Sequence, residues 1–240
     1  MKTKAFLTAL IISVTTAFTT TSCEELLDLF NSGLTEEQVI EGLKEALKVG
    51  TDNSVVKANT ADGYFLHPVI KIPWPSEAET AKNILINQLG MGSLVNDFIL
   101  ELNRAAEDAA QNAKPIFIDA ITSITIEDAW GILKGSDNAA TSYLHSKTYT
   151  SLIAAFAPDI TASLTKVGAA QTWNTLASAY NQYANISPIH EPINTDLGAY
   201  ATGKALDGLF FLVEEEEYKI RTDPTARVTE LLQQVFAEQD

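Results

Sequence analysis

The stretch 94–143, LVNDFILELNRAAEDAAQNAKPIFIDAITSITIEDAWGILKGSDNAATSY, decides the fold of this chain. Its apolar residues over 94–113 recur at spacings of three and four, which predicts a helix capped by Ser93. Apolar residues also lie on the opposite side of this helix, so we expect neighbouring helices on both sides. Pro115 predicts a break or a restart, and Thr125 begins a further helix. The stretch therefore predicts the centre of an all-α bundle.

The rest of the sequence predicts a single helical domain over residues 35–240, with no internal repeat. Apolar residues at helical spacing recur on both sides of the central stretch. Ser76 predicts a capped helix start, Gly50 a helix end and Pro158 a helix break. One short Pro-rich segment, Val69–Pro75, is expected to be extended, because a residue before proline is pushed out of the helical region. The predicted fold class is thus all-α, a single-domain multi-helix bundle with one extended segment.

Residues 1–22 have the features of a bacterial lipoprotein signal peptide. Two lysines precede the apolar stretch Ala5–Phe18, which is too short and too interrupted by threonine for a lasting transmembrane helix. Cys23 is the only cysteine, and it follows small residues at the position where a lipoprotein is cleaved and acylated. An ordinary secreted protein with an incidental cysteine is the alternative. We expect lipidation at Cys23 and a tether over 23–34.

The charge of the chain restricts its partners. With 16 basic and 31 acidic residues the formal charge is −15, and loss of the two lysines of the signal lowers it to −17. Such a surface repels phosphate backbones and anionic headgroups, so we expect no nucleic-acid binding and membrane attachment through N-terminal acyl chains alone. We expect an outer-membrane lipoprotein of the Gram-negative cell envelope. Glu24 and Glu25 resemble a signal for export to the cell surface, or else a solvated start to the tether, so a periplasmic or a surface-facing position stays open.

No catalytic set is recognisable in the sequence. The three histidines form no metal-binding motif, and no phosphate or dinucleotide fingerprint occurs. We therefore expect no cofactor, no metal site and no catalytic residue, with non-catalytic binding of an envelope protein or a small-molecule ligand. One alternative is a hydrolase or metal-dependent enzyme that uses the acidic set Asp97, Glu101, Glu107 and Asp207. Another is a purely structural outer-membrane protein.

The arginines indicate a buried polar network. A charge on a central helix must be paired, and the guanidinium group suits buried pairing with carboxylates. Glu216 falls on the apolar side of its helix, whereas Glu217 is expected to pair with Arg221 on a solvated face. We expect the network to comprise Arg104, Glu107, Asp207, Glu216 and Arg221.

A contact patch is a further hypothesis. Tyr64, Phe65 and Trp74 lie near the Pro-rich segment, and exposed aromatic residues there would form a surface for a partner. The alternative is that they cover one end of the bundle.

Short motifs along the chain carry a family resemblance. Asn103–Glu107, Asp128–Gly135 and Ala139–Tyr143 resemble the core motifs of the domain of unknown function 4197 family. The likeness continues in Gly42–Leu47, Ile72–Pro75, Asp196–Tyr200, Lys204–Phe210, Ile220–Pro224 and Leu231–Phe236. Two departures are a tryptophan at Trp74 in place of a small aliphatic residue and a turn at Asn87–Gly90 without a basic residue. The resemblance implies an all-helical bacterial envelope protein, and it implies no activity.

Overall fold

The computed structural model describes residues 35–236, which form an all-α fold without a β-strand in that range. The helices in chain order are α1 (Glu36–Asn59), α2 (Glu79–Asn87), α3 (Gly92–Ala109), α4 (Lys114–Thr122), α5 (Ile126–Leu133), α6 (Ala139–Lys166), α7 (Ala169–Asn185), α8 (Leu197–Thr222) and α9 (Glu230–Phe236). Short 3-10 turns lie at Ser76–Ala78, Ala110–Ala113 and Pro224–Ala226. The predicted fold class is confirmed. The signal peptide, Cys23 and the tether 23–34 lie outside the described residues.

Two helices hold the bundle together. α3 packs against α6 and α7, as well as against α1 and α2. α8 packs along α6 and α1, and α4 and α9 cover other parts of α1. The prediction that α3 has neighbours on both sides is confirmed, and α8 is the second central helix.

Several predicted helix ends are wrong because packing overrides local sequence preference. α1 runs through Gly50 to Asn59, since Gly50 is buried where α1 meets α8. α6 likewise continues through Pro158, which is exposed, so the disturbed turn lies on the solvent side. Ser93 is not a cap, since α3 begins at Gly92, and Ser76 opens a 3-10 turn rather than capping α2.

The loop between α1 and α2 contains no α-helix over residues 60–75, and it packs against α8 at Gly208. A Cβ atom at Gly208 would lie 2.7 Å from Tyr64 Cε1 and 3.0 Å from Ile70 Cβ. Both neighbours are buried. The absence of a side chain at Gly208 therefore lets the loop approach the helix backbone.

We predict that Gly208→Ala lowers the free energy of unfolding by about 1–3 kcal/mol, because the added methyl group overlaps a buried ring. Gly203→Ala on the same helix is the matched control, since nothing lies within 4 Å of its Cβ position. That control should gain about 0.5–1 kcal/mol from the better helix propensity of alanine. Thermal unfolding of both variants tests this, and equal melting temperatures would contradict it.

Candidate functional site

Asn103 on α3 binds the backbone of the non-helical loop. Its side chain is fully buried, and its Oδ1 accepts a hydrogen bond from the Ile72 N–H at 2.8 Å. Its Nδ2 donates to the Ile72 carbonyl at 2.8 Å and to the Ile99 carbonyl at 2.7 Å. One amide side chain thus satisfies both backbone groups of a buried residue that has no helical partner.

Glu107 binds the same loop one helical turn further along α3. Its carboxylate is buried and accepts hydrogen bonds from the N–H groups of Tyr64 at 3.1 Å and Phe65 at 3.2 Å. Arg104 donates to its other oxygen at 2.6 Å and also to Asp62 at 2.7 Å. The hydrogen bond to Glu107 is the main cause that raises the pKa of Arg104 above its usual value. The expected Arg104–Glu107 pair is present, and it fixes the loop to the bundle.

A second buried ion pair joins Glu217 and Arg221 on α8. The Arg221 Nη2 lies 2.9 Å from Glu217 Oε1, and both side chains are less than one-tenth exposed. The Glu217 carboxylate accepts hydrogen bonds from the N–H groups of Ala140 at 2.9 Å and Thr141 at 2.7 Å, at the start of α6. Arg221 donates to the Ile132 carbonyl at the end of α5 at 2.9 Å. The pair therefore caps two helix ends, with each charge on the side that the helix dipole favours.

Two members of the predicted network lie elsewhere. Asp207 is exposed and pairs with Lys204, so its assignment to the buried network is wrong. Glu216 is partly buried and pairs with Lys219, while Asn53 donates to its other oxygen. The buried partner of Arg221 is Glu217, which the sequence placed on a solvated face. Its position depends on contact with the start of α6, which has no side-chain cap hydrogen bond of its own, and spacing along α8 gives no signal of that contact.

The predicted contact patch is wrong for two of its three residues. Tyr64 and Trp74 are 1% and 2% exposed. The Tyr64 hydroxyl donates to the Ala205 carbonyl at 2.6 Å, and burial is the main cause that raises its pKa. Trp74 packs on Phe98 and Trp173 with ring centroids 5.3 and 5.1 Å away. Only Phe65 is partly exposed, under the ammonium group of Lys71.

The acidic set of the enzyme alternative does not converge. Asp97 and Glu101 lie on α3, where Asp97 is exposed, and the exposed Asp207 lies on α8. Glu107 is occupied by Arg104 and by two backbone N–H groups. Within residues 35–236, no group of three or more His, Cys, Asp or Glu side chains is arranged to hold a metal ion.

Two of the surface concavities within residues 35–236 are wide enough for a ligand. A polar cleft of about 530 Å³ is lined by residues that include Glu77, Tyr180 and His190. Nearby, burial and the charge of Glu77 raise the pKa of Tyr200 to about 12. The second concavity consists of two adjoining hollows of about 490 and 460 Å³ between the start of α6 and the C-terminal half of α8.

We call this second concavity the α6–α8 groove and define it by Asp137, Asn138, Asp207, Phe211, Glu214 and Tyr218. Its lining combines aromatic rings and carboxylates, and among residues 35–236 no lysine or arginine contributes to that lining. This groove was not predicted from the sequence. The signal was present in the spacing of Asp207, Phe211, Glu214 and Tyr218, which places them on one face of a helix.

The described residues match a known family. A family model described as a protein of unknown function (DUF4197) matches residues 33–237, which confirms the resemblance seen in the motifs. No curated protein and no solved structure matches the chain. Among the helices of residues 35–236, none is both long and apolar enough to cross a bilayer.

We predict that Arg221→Leu lowers the free energy of unfolding by about 3–5 kcal/mol, because it leaves the Glu217 carboxylate buried without its cation. Arg104→Leu should cost less, since the Arg104 side chain is 33% exposed and Glu107 keeps two backbone donors. Lys204→Leu, at an exposed pair, is the control and should cost less than about 1 kcal/mol. Urea unfolding measures the loss of unfolding free energy in each variant. An Arg221→Leu variant as stable as the Lys204→Leu control would refute the predicted order.

We predict that Asp108 contributes to the pH dependence of the free energy of unfolding. Its carboxylate joins α3 to α6 by accepting hydrogen bonds from Lys166 and Ser163, which lower its pKa in the folded state, Lys166 being the larger cause. Because the pKa of Asp108 is lower in the folded state than in the unfolded state, its ionised carboxylate stabilises the fold at pH values above the unfolded-state pKa. That stabilisation is lost as the pH falls through the folded-state pKa. Asp108→Asn should therefore weaken the decline of unfolding free energy from about pH 5 to about pH 2. Asp119→Asn, an exposed change on α4, is the control, and an identical decline in both variants would contradict this role.

Proposed function

The chain belongs to the DUF4197 family over residues 33–237, and from that premise we propose that it is a lipid-anchored protein of the bacterial cell envelope that binds a partner without catalysis. The family description states no activity, so the proposal draws on the residues of this chain.

The observation that carries the anchor is the N-terminal sequence. Two lysines, the apolar stretch Ala5–Phe18 and the small residues before Cys23 occur in the order of a lipoprotein signal. Acyl chains on the only cysteine would hold a strongly acidic protein at a membrane that its surface charge repels. More than one acyl chain makes such attachment stable.

The use of the buried charges supports the non-catalytic part of the proposal. A catalytic carboxylate needs a reactive atom within reach and a suitable pKa. The buried carboxylates of Glu107 and Glu217 instead accept hydrogen bonds from backbone N–H groups and arginines that position loops and helix ends. Both carboxylates are thus occupied by structural partners.

We predict that Cys23→Ala abolishes acylation and releases the protein from the membrane fraction, because the thiol is the attachment point of the lipid. Ser22→Ala is the matched control, since it keeps a small residue before the cysteine. Expression of both variants in a Gram-negative host, followed by fractionation and intact-mass measurement, tests this. A wild-type protein without acyl mass, or a Cys23→Ala variant that stays membrane-bound, would overturn the anchor.

A further inference from the structure

We propose that the α6–α8 groove binds a short peptide segment of a partner protein that carries lysine or arginine side chains. The inference rests on the proposed function, because it assigns the chemistry of the partner that the envelope protein would bind.

The first support is the alternation of carboxylates and aromatic rings along α8. Asp207, Phe211, Glu214 and Tyr218 follow one another at spacings of four, three and four, so they form one stripe on the helix surface. Phe211 is partly buried and is held at its edge by His67, at 5.9 Å between ring centroids, and Tyr218 is 55% exposed. An ammonium or guanidinium group over a ring face and beside a carboxylate gains from both interactions.

The second support is charge that is left without a cation. Glu215 pairs with Lys57 and Asp207 with Lys204, both at the edge of the groove. Within residues 35–236, the Glu214 carboxylate accepts one hydrogen bond, from the amide of Asn138 at 3.5 Å, and neither Glu214 nor Asp137 forms an ion pair. A basic side chain of a partner would supply the counter-charge that the described part of this chain does not.

Charge also decides between the occupants of the groove. The tether 23–34 contains three acidic residues, Glu24, Glu25 and Asp28, and no lysine or arginine, so the groove repels it. A second copy of the chain, at a formal charge of −15, and an anionic lipid headgroup are repelled for the same reason. The charge of the groove therefore favours a basic partner over each of these three occupants.

The length of the groove favours a peptide over a single small cation. Asp207 and Tyr218 are eleven residues apart on one helix, which corresponds to about 16 Å along its axis. An extended peptide covers this distance with about five residues. Phe211 and Tyr218 supply the apolar part of the groove, beside the carboxylates of Asp207 and Glu214. We therefore expect basic residues that alternate with apolar ones.

The test measures binding of a fluorescein-labelled heptapeptide in which arginine alternates with valine, by fluorescence anisotropy on the full-length chain in mild detergent. A second heptapeptide, with citrulline in place of arginine, keeps the shape and removes the charge. We expect the arginine peptide to bind and the Asp137→Asn/Glu214→Gln variant to weaken it by about tenfold, since two charge-assisted contacts are lost. Phe211→Ala should weaken it as well, with circular dichroism as the check of folding.

The matched control is Asp119→Asn/Glu127→Gln, which removes two exposed carboxylates away from the groove. It should change the affinity by less than about twofold, because long-range attraction alone is screened by salt. Equal weakening by both double variants, or equal affinity for the citrulline peptide, would overturn the proposal. A photoreactive benzoylphenylalanine at the exposed position Ser142 tests the other occupants, and crosslinks to a second copy or to residues 23–34 would also overturn it.

The two proposals fail separately. Loss of acyl mass at Cys23 concerns the anchor and leaves peptide binding by the groove unaffected. Conversely, an acylated protein that does not bind the arginine peptide would support the proposed anchor and refute the proposed basic partner.

Discussion

The fold depends on the hydrogen bonds between side chains of α3 and the loop between α1 and α2. A helix satisfies its own backbone, whereas a buried loop has N–H and carbonyl groups that require other partners. Asn103 and Glu107, one turn apart on α3, supply these partners to Ile72 and to the start of the loop. With its backbone satisfied, the loop can bury Tyr64 and Trp74 between the helices. Without the side chains of Asn103 and Glu107, burial of this loop would leave backbone groups unpaired, at a cost of about 1–3 kcal/mol each.

The other central helix uses the same arrangement at helix ends. Glu217 and Arg221 are again one turn apart, and they hold the turn between α5 and α6 from both sides. Both pairs place an ionised or amide group where a backbone has lost its helical partner. Each central helix therefore carries a pair of buried polar residues that fixes a connection between helices.

The sequence predicted the helices and the Arg104–Glu107 pair, because both follow from spacing along a single helix. It could not show whether Glu216 or Glu217 is the buried partner of Arg221, because both belong to a run of four glutamates. Neighbouring positions on a helix differ by only about 100° of rotation, so spacing alone does not assign either one to the buried side. The choice is made by the N–H groups of Ala140 and Thr141, which are 77 and 76 positions away in the chain. The prediction that Trp74 is exposed was wrong for a related reason. The spacing of residues in a short extended segment does not show which side of it another helix covers.

The distribution of charge over α8 connects the fold with the proposed binding role. On its buried side, Glu217 is neutralised by Arg221 and by backbone donors. On its exposed side, Glu214 keeps its charge beside the ring of Phe211 and within reach of solvent. A carboxylate at the surface attracts cations over a distance. The face of α8 that solvent reaches is therefore suited to a basic partner, while its buried face joins the helix ends of α5 and α6.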